Sequence, residues 1–146
     1  MIALRRSSTN RRCRPPRRHA AAAVEFAVVA PLLFLFIVFP MFEFGRGLMV
    51  TELVTNAARA GARVGILPGN TNASVTSAVN ANLSAQGITG ATTTILANGA
   101  SADVSTGALG TPITVTVSIP YNKVSWTAGE YLNGFNLTGT QTLPHE

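Results

Sequence analysis

Hydrophobic positions fall along the chain in three successive regimes. From Ala20 to Phe42 there are 23 residues and a single charge, Glu25. As a helix with a rise of about 1.5 Å per residue this run is ~34 Å long, enough to cross a ~30 Å hydrocarbon core. Pro31 and Pro40 lie inside it; membrane helices tolerate proline, at the expense of a kink or one backbone hydrogen bond. The helical period then continues. Phe44, Leu48, Val54, Ala58 and Ala62 form one stripe, and Leu53, Ala57, Ala60, Gly61 and Val64 a second, narrower one. Gly65 followed by Pro68-Gly69 is a stop signal. The pattern predicts one long helix over 21–67, with its membrane part at about 21–43.

A second, shorter helix follows. Asn72 and Ser74 are its expected caps, Val75, Ala78, Val79 and Leu83 its apolar face, and Gly87 lies past its end. The period then changes to two. Thr92–Leu96 reads as a strand. Residues 111–120 read as the strongest strand, with Ile113, Val115, Val117 and Ile119 facing one way and Thr114, Thr116 and Ser118 the other. Residues 135–143 form a third, with Phe135, Leu137 and Leu143 expected inward. Asn98-Gly99 and the Gly107–Gly110 stretch are turn material. The fold class that results is α+β: a long N-terminal membrane-spanning helix extends into a small domain with a second helix and a three-stranded antiparallel sheet. Each layer covers what the other would expose.

Charge adds direction. Residues 1–19 hold seven arginines and no acid, whereas residues 20–146 hold four basic and six acidic side chains. The formal net charge of +5 therefore describes a head, not a domain. With Pro15-Pro16 and repelling charges, residues 1–20 read as a disordered basic leader lying against anionic lipid. The arginines place that end in the cytoplasm and the 68–146 domain outside. A nucleic-acid-binding domain would spread its basic residues over a folded face, so no nucleic-acid partner is expected. A cleaved secretory signal is also disfavoured. The apolar run ends in Phe39-Pro40-Met41-Phe42-Glu43-Phe44, and the small residues Ala20–Ala23 precede it instead of following it.

Catalytic material is scarce. Beyond the helix the acids are Asp103, Glu130 and Glu146, with one histidine, His145, and no cysteine. No metal site, cofactor or catalytic residue is expected, and Cys13 has no partner for a disulfide. Glu25 stands out as a carboxylate in an apolar helix, where ionisation costs on the order of 2.5–3.5 kcal/mol near the bilayer centre and less near an end. Two readings stay open: an interfacial acid paired with Arg18, or a charge that seeks a cation on another subunit. Glu43 and Arg46 form an i, i+3 pair expected at the outer interface, facing headgroups or a neighbouring subunit. Ala57, Ala60, Gly61 and Ala62 are small enough for close packing, against the domain's own elements or along an intermolecular seam. Arg59 and Arg63 read as solvated or salt-bridged helix charges. Tyr121, Trp126 and Tyr131 are either core lids or an exposed patch.

The segment Ala21-Ala22-Ala23-Val24-Glu25-Phe26-Ala27-Val28-Val29-Ala30-Pro31, then Phe42-Glu43-Phe44-Gly45-Arg46, then Asn56-Ala57-Ala58-Arg59-Ala60-Gly61-Ala62-Arg63 resembles the TadE-like minor pilins (pseudopilins) of tight-adherence, or Flp, pilus systems. The resemblance spans residues 18–64. It implies a pilin-like fold and a membrane-anchored subunit without catalysis that assists assembly of a pilus or related secretion apparatus. Its partners would be the lipid bilayer, other pilin-like subunits, a prepilin peptidase and an inner-membrane assembly platform. The family's peptidase typically cuts after glycine, with glutamate at the fifth mature position. Counted back from Glu25, the processing site is Ala20–Ala21, with Ala20 where the family usually has glycine. The resemblance also makes the new amino group of Ala21 the cation that pairs with Glu25 of a neighbour. The alternative is a single-pass anchored extracytoplasmic binding module with no pilus role.

Overall fold

The computed structural model describes residues 17–125 and 134–146, with side chains from residue 20 onward. The leader arginines before residue 17, Cys13, and the aromatics Trp126 and Tyr131 lie outside the described residues. Five elements follow in order: α1 (Arg17–Gly65), α2 (Asn72–Ala85), β1 (Thr92–Ala97), β2 (Pro112–Pro120) and β3 (Asn136–Pro144). Two 3-10 turns, Val104–Thr106 and Tyr121–Lys123, flank β2. The chain divides into two compact units, with the boundary between Val38 and Phe39.

The first unit holds the apolar part of α1. Its residues from Ala20 to Ile37 are exposed almost throughout, including Phe26, Leu32, Leu33, Phe34, Phe36 and Ile37. The helix assignment runs through both Pro31 and Pro40.

The second unit is α+β. Its sheet has the order β1-β2-β3, antiparallel throughout, with β2 in the middle. Ile113, Val115, Val117 and Ile119 are wholly buried, so the period-two reading of this strand fits the structure. Their register pairs Val115 with Ile95 on one side and Gln141 on the other. The opposite face carries hydroxyls in rows: Thr94, Thr116 and Thr140 lie abreast, and Thr92, Ser118 and Thr138 form the next row. The Oγ1 atoms of Thr114 and Thr142 are 2.8 Å apart.

α1 and α2 cover the inner face of this sheet. The inward stripe of α1 is Glu43, Gly47, Val50, Val54, Ala57, Ala58, Gly61, Ala62 and Gly65, a run of i+3 and i+4 steps. Phe44 and Leu48, expected on that stripe, are instead exposed. They are out of phase with Val50 and Val54, and two residues of low apparent hydrophobicity, Glu43 and Gly47, hold the inward positions. α2 buries Val75, Val79 and Leu83. Its N-cap is Thr71, with Ser74 returning the capping-box contact, so Asn72 is not a cap. The Asn72 side chain instead accepts from the Val104 N–H and donates to the Ala102 carbonyl, both at 3.1 Å. This ties α2 to the turn before β2.

Two glycines permit the layers to meet. A Cβ on Gly61 would lie 2.5 Å from Val79 Cγ2, so α2 crosses α1 where α1 has no side chain. A Cβ on Gly139 would lie 2.6 Å from both N and Cα of Thr55, so β3 touches the backbone of α1 itself. Phe135, expected inward with Leu137 and Leu143, is 63% exposed. It precedes the last paired residue of β3, Asn136, and the core position at that end belongs to Tyr121.

Candidate functional site

Two places concentrate polar groups where apolar surroundings make them costly. The first is Glu25, four turns before the unit boundary. It is exposed on a helix whose neighbouring side chains Val24, Phe26, Val28 and Val29 are apolar and also exposed. Ala20 and Ala21 lie within α1, one turn earlier, and are exposed as well. Among the described residues, one helix is long and apolar enough to cross a membrane. That fits a single-pass membrane protein.

The second is a node at the start of the folded domain. Glu43 was expected to face outward, but it is 3% exposed and points into the second unit. The Tyr121 phenol donates to its Oε2 at 2.6 Å and also lies 2.9 Å from its carbonyl oxygen. Ser125 Oγ donates to Oε1 at 3.3 Å. One turn along, Arg46 Nε donates to the Val124 carbonyl at 3.3 Å. The 3-10 turn after β2 is therefore fastened to α1 by both of its ends. Tyr121 is itself wholly buried. Burial pushes its phenol up to about 12, helped by the hydrogen bond to Glu43 and by that carboxylate's charge, while Arg46 pulls the other way. No local pattern points to this node, because Glu43 and Tyr121 are 78 positions apart: Glu43 reads as an interface charge, and Tyr121 as either a core lid or part of an exposed patch. A buried tyrosine needs a polar partner, and that was the available clue.

Ala57 and Gly61 face inward on α1, against the sheet and α2. Arg59 and Arg63 are exposed on its other side. Residues 20–63 match the family model described as TadE-like protein. The matched segment thus takes in the apolar helix, the α1 side of the node (Glu43 and Arg46) and the small-residue stretch, and stops short of α2, the sheet and the Tyr121–Ser125 turn. No curated protein and no solved structure matches the chain.

Among the described residues, no three His, Cys, Asp or Glu side chains group as metal ligands would. Asp103 accepts from the Ser105 N–H at 3.0 Å and caps its own turn; that backbone hydrogen bond, first among its contacts, holds its carboxyl below the usual range. A shallow depression along α2, lined by Asn72, Thr76, Asn80 and Ser84 among others, contains no charged side chain.

Proposed function

We propose that the chain is a membrane-anchored minor pilin or pseudopilin-like subunit that assists assembly of a tight-adherence pilus or a related secretion apparatus. The observation that carries this reading is the position of the TadE-like match. It begins at the apolar run with its one carboxylate and ends in the half of α1 that forms the domain core. The seven arginines before residue 20 support a cytoplasmic N-terminus and an exported domain on the bacterial inner membrane. The subunit's work is structural. Ala20–Ala21 is the bond a prepilin peptidase would cut, and Glu25 is the charge another subunit's amino terminus would meet. An unpaired carboxylate in lipid is costly, so that pairing fixes the axial register between neighbours.

The test is N-terminal sequencing of protein extracted from membranes, together with cross-linking of Glu25→Gln in the native host. A mature start at Ala21, and a Glu25→Gln variant that inserts normally but cross-links poorly to other pilins, are the expected results. Ala20→Gly should keep or speed cleavage, and Ala20→Leu should slow it. An intact leader with unchanged cross-linking would return the chain to a simple anchored binding module.

A further inference from the structure

Apolar exposure does not stop where the apolar run stops. Within the second unit, Met41, Phe42, Phe44, Leu48 and Met49 are all exposed, Leu48 at 69%. Met41, Phe44 and Leu48 share one side of α1 and Phe42 and Met49 flank it, so together they form a broad apolar face opposite the inward Glu43, Gly47 and Val50, wider than a single groove contact would need. The exposed side of α1 turns polar only from Glu52, followed by Asn56, Arg59 and Arg63. The two charges of α1 at this height, Glu43 and Arg46, both turn to the Tyr121–Ser125 segment: Glu43 accepts from Tyr121 and Ser125, and Arg46 donates to the Val124 carbonyl.

Part of the sheet reaches the same height. The Tyr121 N–H donates to the Phe135 carbonyl, which puts Phe135 beside the residue that holds Glu43. Gly139 lies against Thr55, and the last residue, Glu146, donates its N–H to Ile66, so β3 runs in the same direction as α1. Four residues back from Gly139 is about 13 Å of strand, or roughly nine residues of helix, which sets Phe135 level with about Arg46. Exposed Lys123 lies on the adjoining turn. From Glu43 to Met49 the helix rises about 9 Å, and the layer between hydrocarbon core and water is about 5–8 Å deep, so this apolar face spans it. Such a layer takes up apolar side chains with a cation beside them.

We infer that this end of the domain, Phe135 and the Tyr121–Ser125 turn, is embedded in the outer headgroup layer of the bilayer, with Lys123 at the lipid phosphates. The occupant is phospholipid. The apolar surface continues the membrane-length run of the same helix, and its polar limit falls at the thickness of the interface. The domain is therefore held against the membrane, not carried above it on a bare stalk. This inference rests on the anchor reading above.

The test uses the full chain with Cys13→Ser, reconstituted in phosphatidylcholine–phosphatidylglycerol vesicles. A fluorophore is placed at one position at a time by Phe34→Cys, Phe135→Cys, Lys123→Cys or Leu109→Cys. Leu109 is the control: it is apolar and 87% exposed, but it neighbours Gly110, which bonds His145 at the Ile66 end of α1. Brominated phosphatidylcholine should quench the labels at 34, 135 and 123, and leave 109 bright. Quenching at 34 with 135 and 123 as bright as 109 overturns the inference and leaves the anchor standing. No quenching at 34 overturns both. A label at 135 that is shielded from water yet unquenched by brominated lipid overturns it in favour of a second copy of the chain. Equal quenching at 109 and 135 also overturns it.

Discussion

The Tyr121 phenol sits 2.6 Å from the Glu43 carboxylate, joining the turn after β2 to the helix residue at which the apolar run ends. Both groups are buried, so neither has water to fall back on when the other is removed. A buried polar contact therefore stands directly after the apolar run.

Tyr121→Phe should destabilise the domain by about 1–3 kcal/mol, because it leaves a buried carboxylate short of a donor. Pairing it with Glu43→Gln should recover part of that loss. Chemical denaturation of the detergent-solubilised protein, run as a double-mutant cycle, measures the coupling. Additive effects would mean that the two residues do not depend on each other.

Alkaline pH should loosen the same contact. The Tyr121 phenol is raised from 10.0 to about 12 in the folded state, so the folded state holds its proton more tightly than the unfolded one. The associated stability is present in full below about pH 10 and is lost as pH rises toward about 12. Denaturation midpoints of the wild type should fall across this window more steeply than those of Tyr121→Phe. Parallel curves would show that the phenol titrates normally.

Gly139→Ala should be among the most damaging single changes, costing about 3 kcal/mol or more, since its methyl group would meet the backbone of Thr55 and no rotamer can yield. Gly61→Ala meets a valine methyl, which can move, and should cost about 1–3 kcal/mol. Thermal unfolding of the two variants gives the order directly.

Val117→Asp should abolish stable folding, with a cost of about 4 kcal/mol or more, because it buries an unpaired charge beneath the central strand. Thr116→Asp, on the hydroxyl face, should stay within about 1 kcal/mol, roughly the worth of its contact with Thr140. Limited proteolysis of the two full-chain variants distinguishes them; equal resistance would mean the strand's faces are reversed.

Alternation from Ile113 to Ile119 made the central strand and its inward face readable, because period two leaves no second assignment once one face is buried. The α1 stripe was readable only in its upper half. Val54, Ala58 and Ala62 are hydrophobic and inward, but lower down the inward positions are Glu43 and Gly47, which a hydropathy pattern passes over. Phe44 and Leu48 are apolar yet exposed, so hydropathy alone points to the wrong side of the helix there. Phe135 misled for a related reason: it keeps the phase of β3 but lies beyond its last pair. The Glu43–Tyr121 contact, 78 positions apart in the chain, depends on a tertiary register that no local pattern encodes.

The close approach of Gly139 to Thr55 has a mechanical meaning. β3 runs parallel to α1, and β2, which sets Ile113 near Gly65 and Tyr121 near Glu43, runs antiparallel to it. A pull on the helix from its Phe39 end is therefore directed along the strands it packs against. Such a load shears the whole seam from Glu43 to Gly65 at once instead of peeling it one contact at a time. Under such a load this unit would resist as a whole and fail abruptly, with the backbone contact at Gly139 acting as the key in the slot.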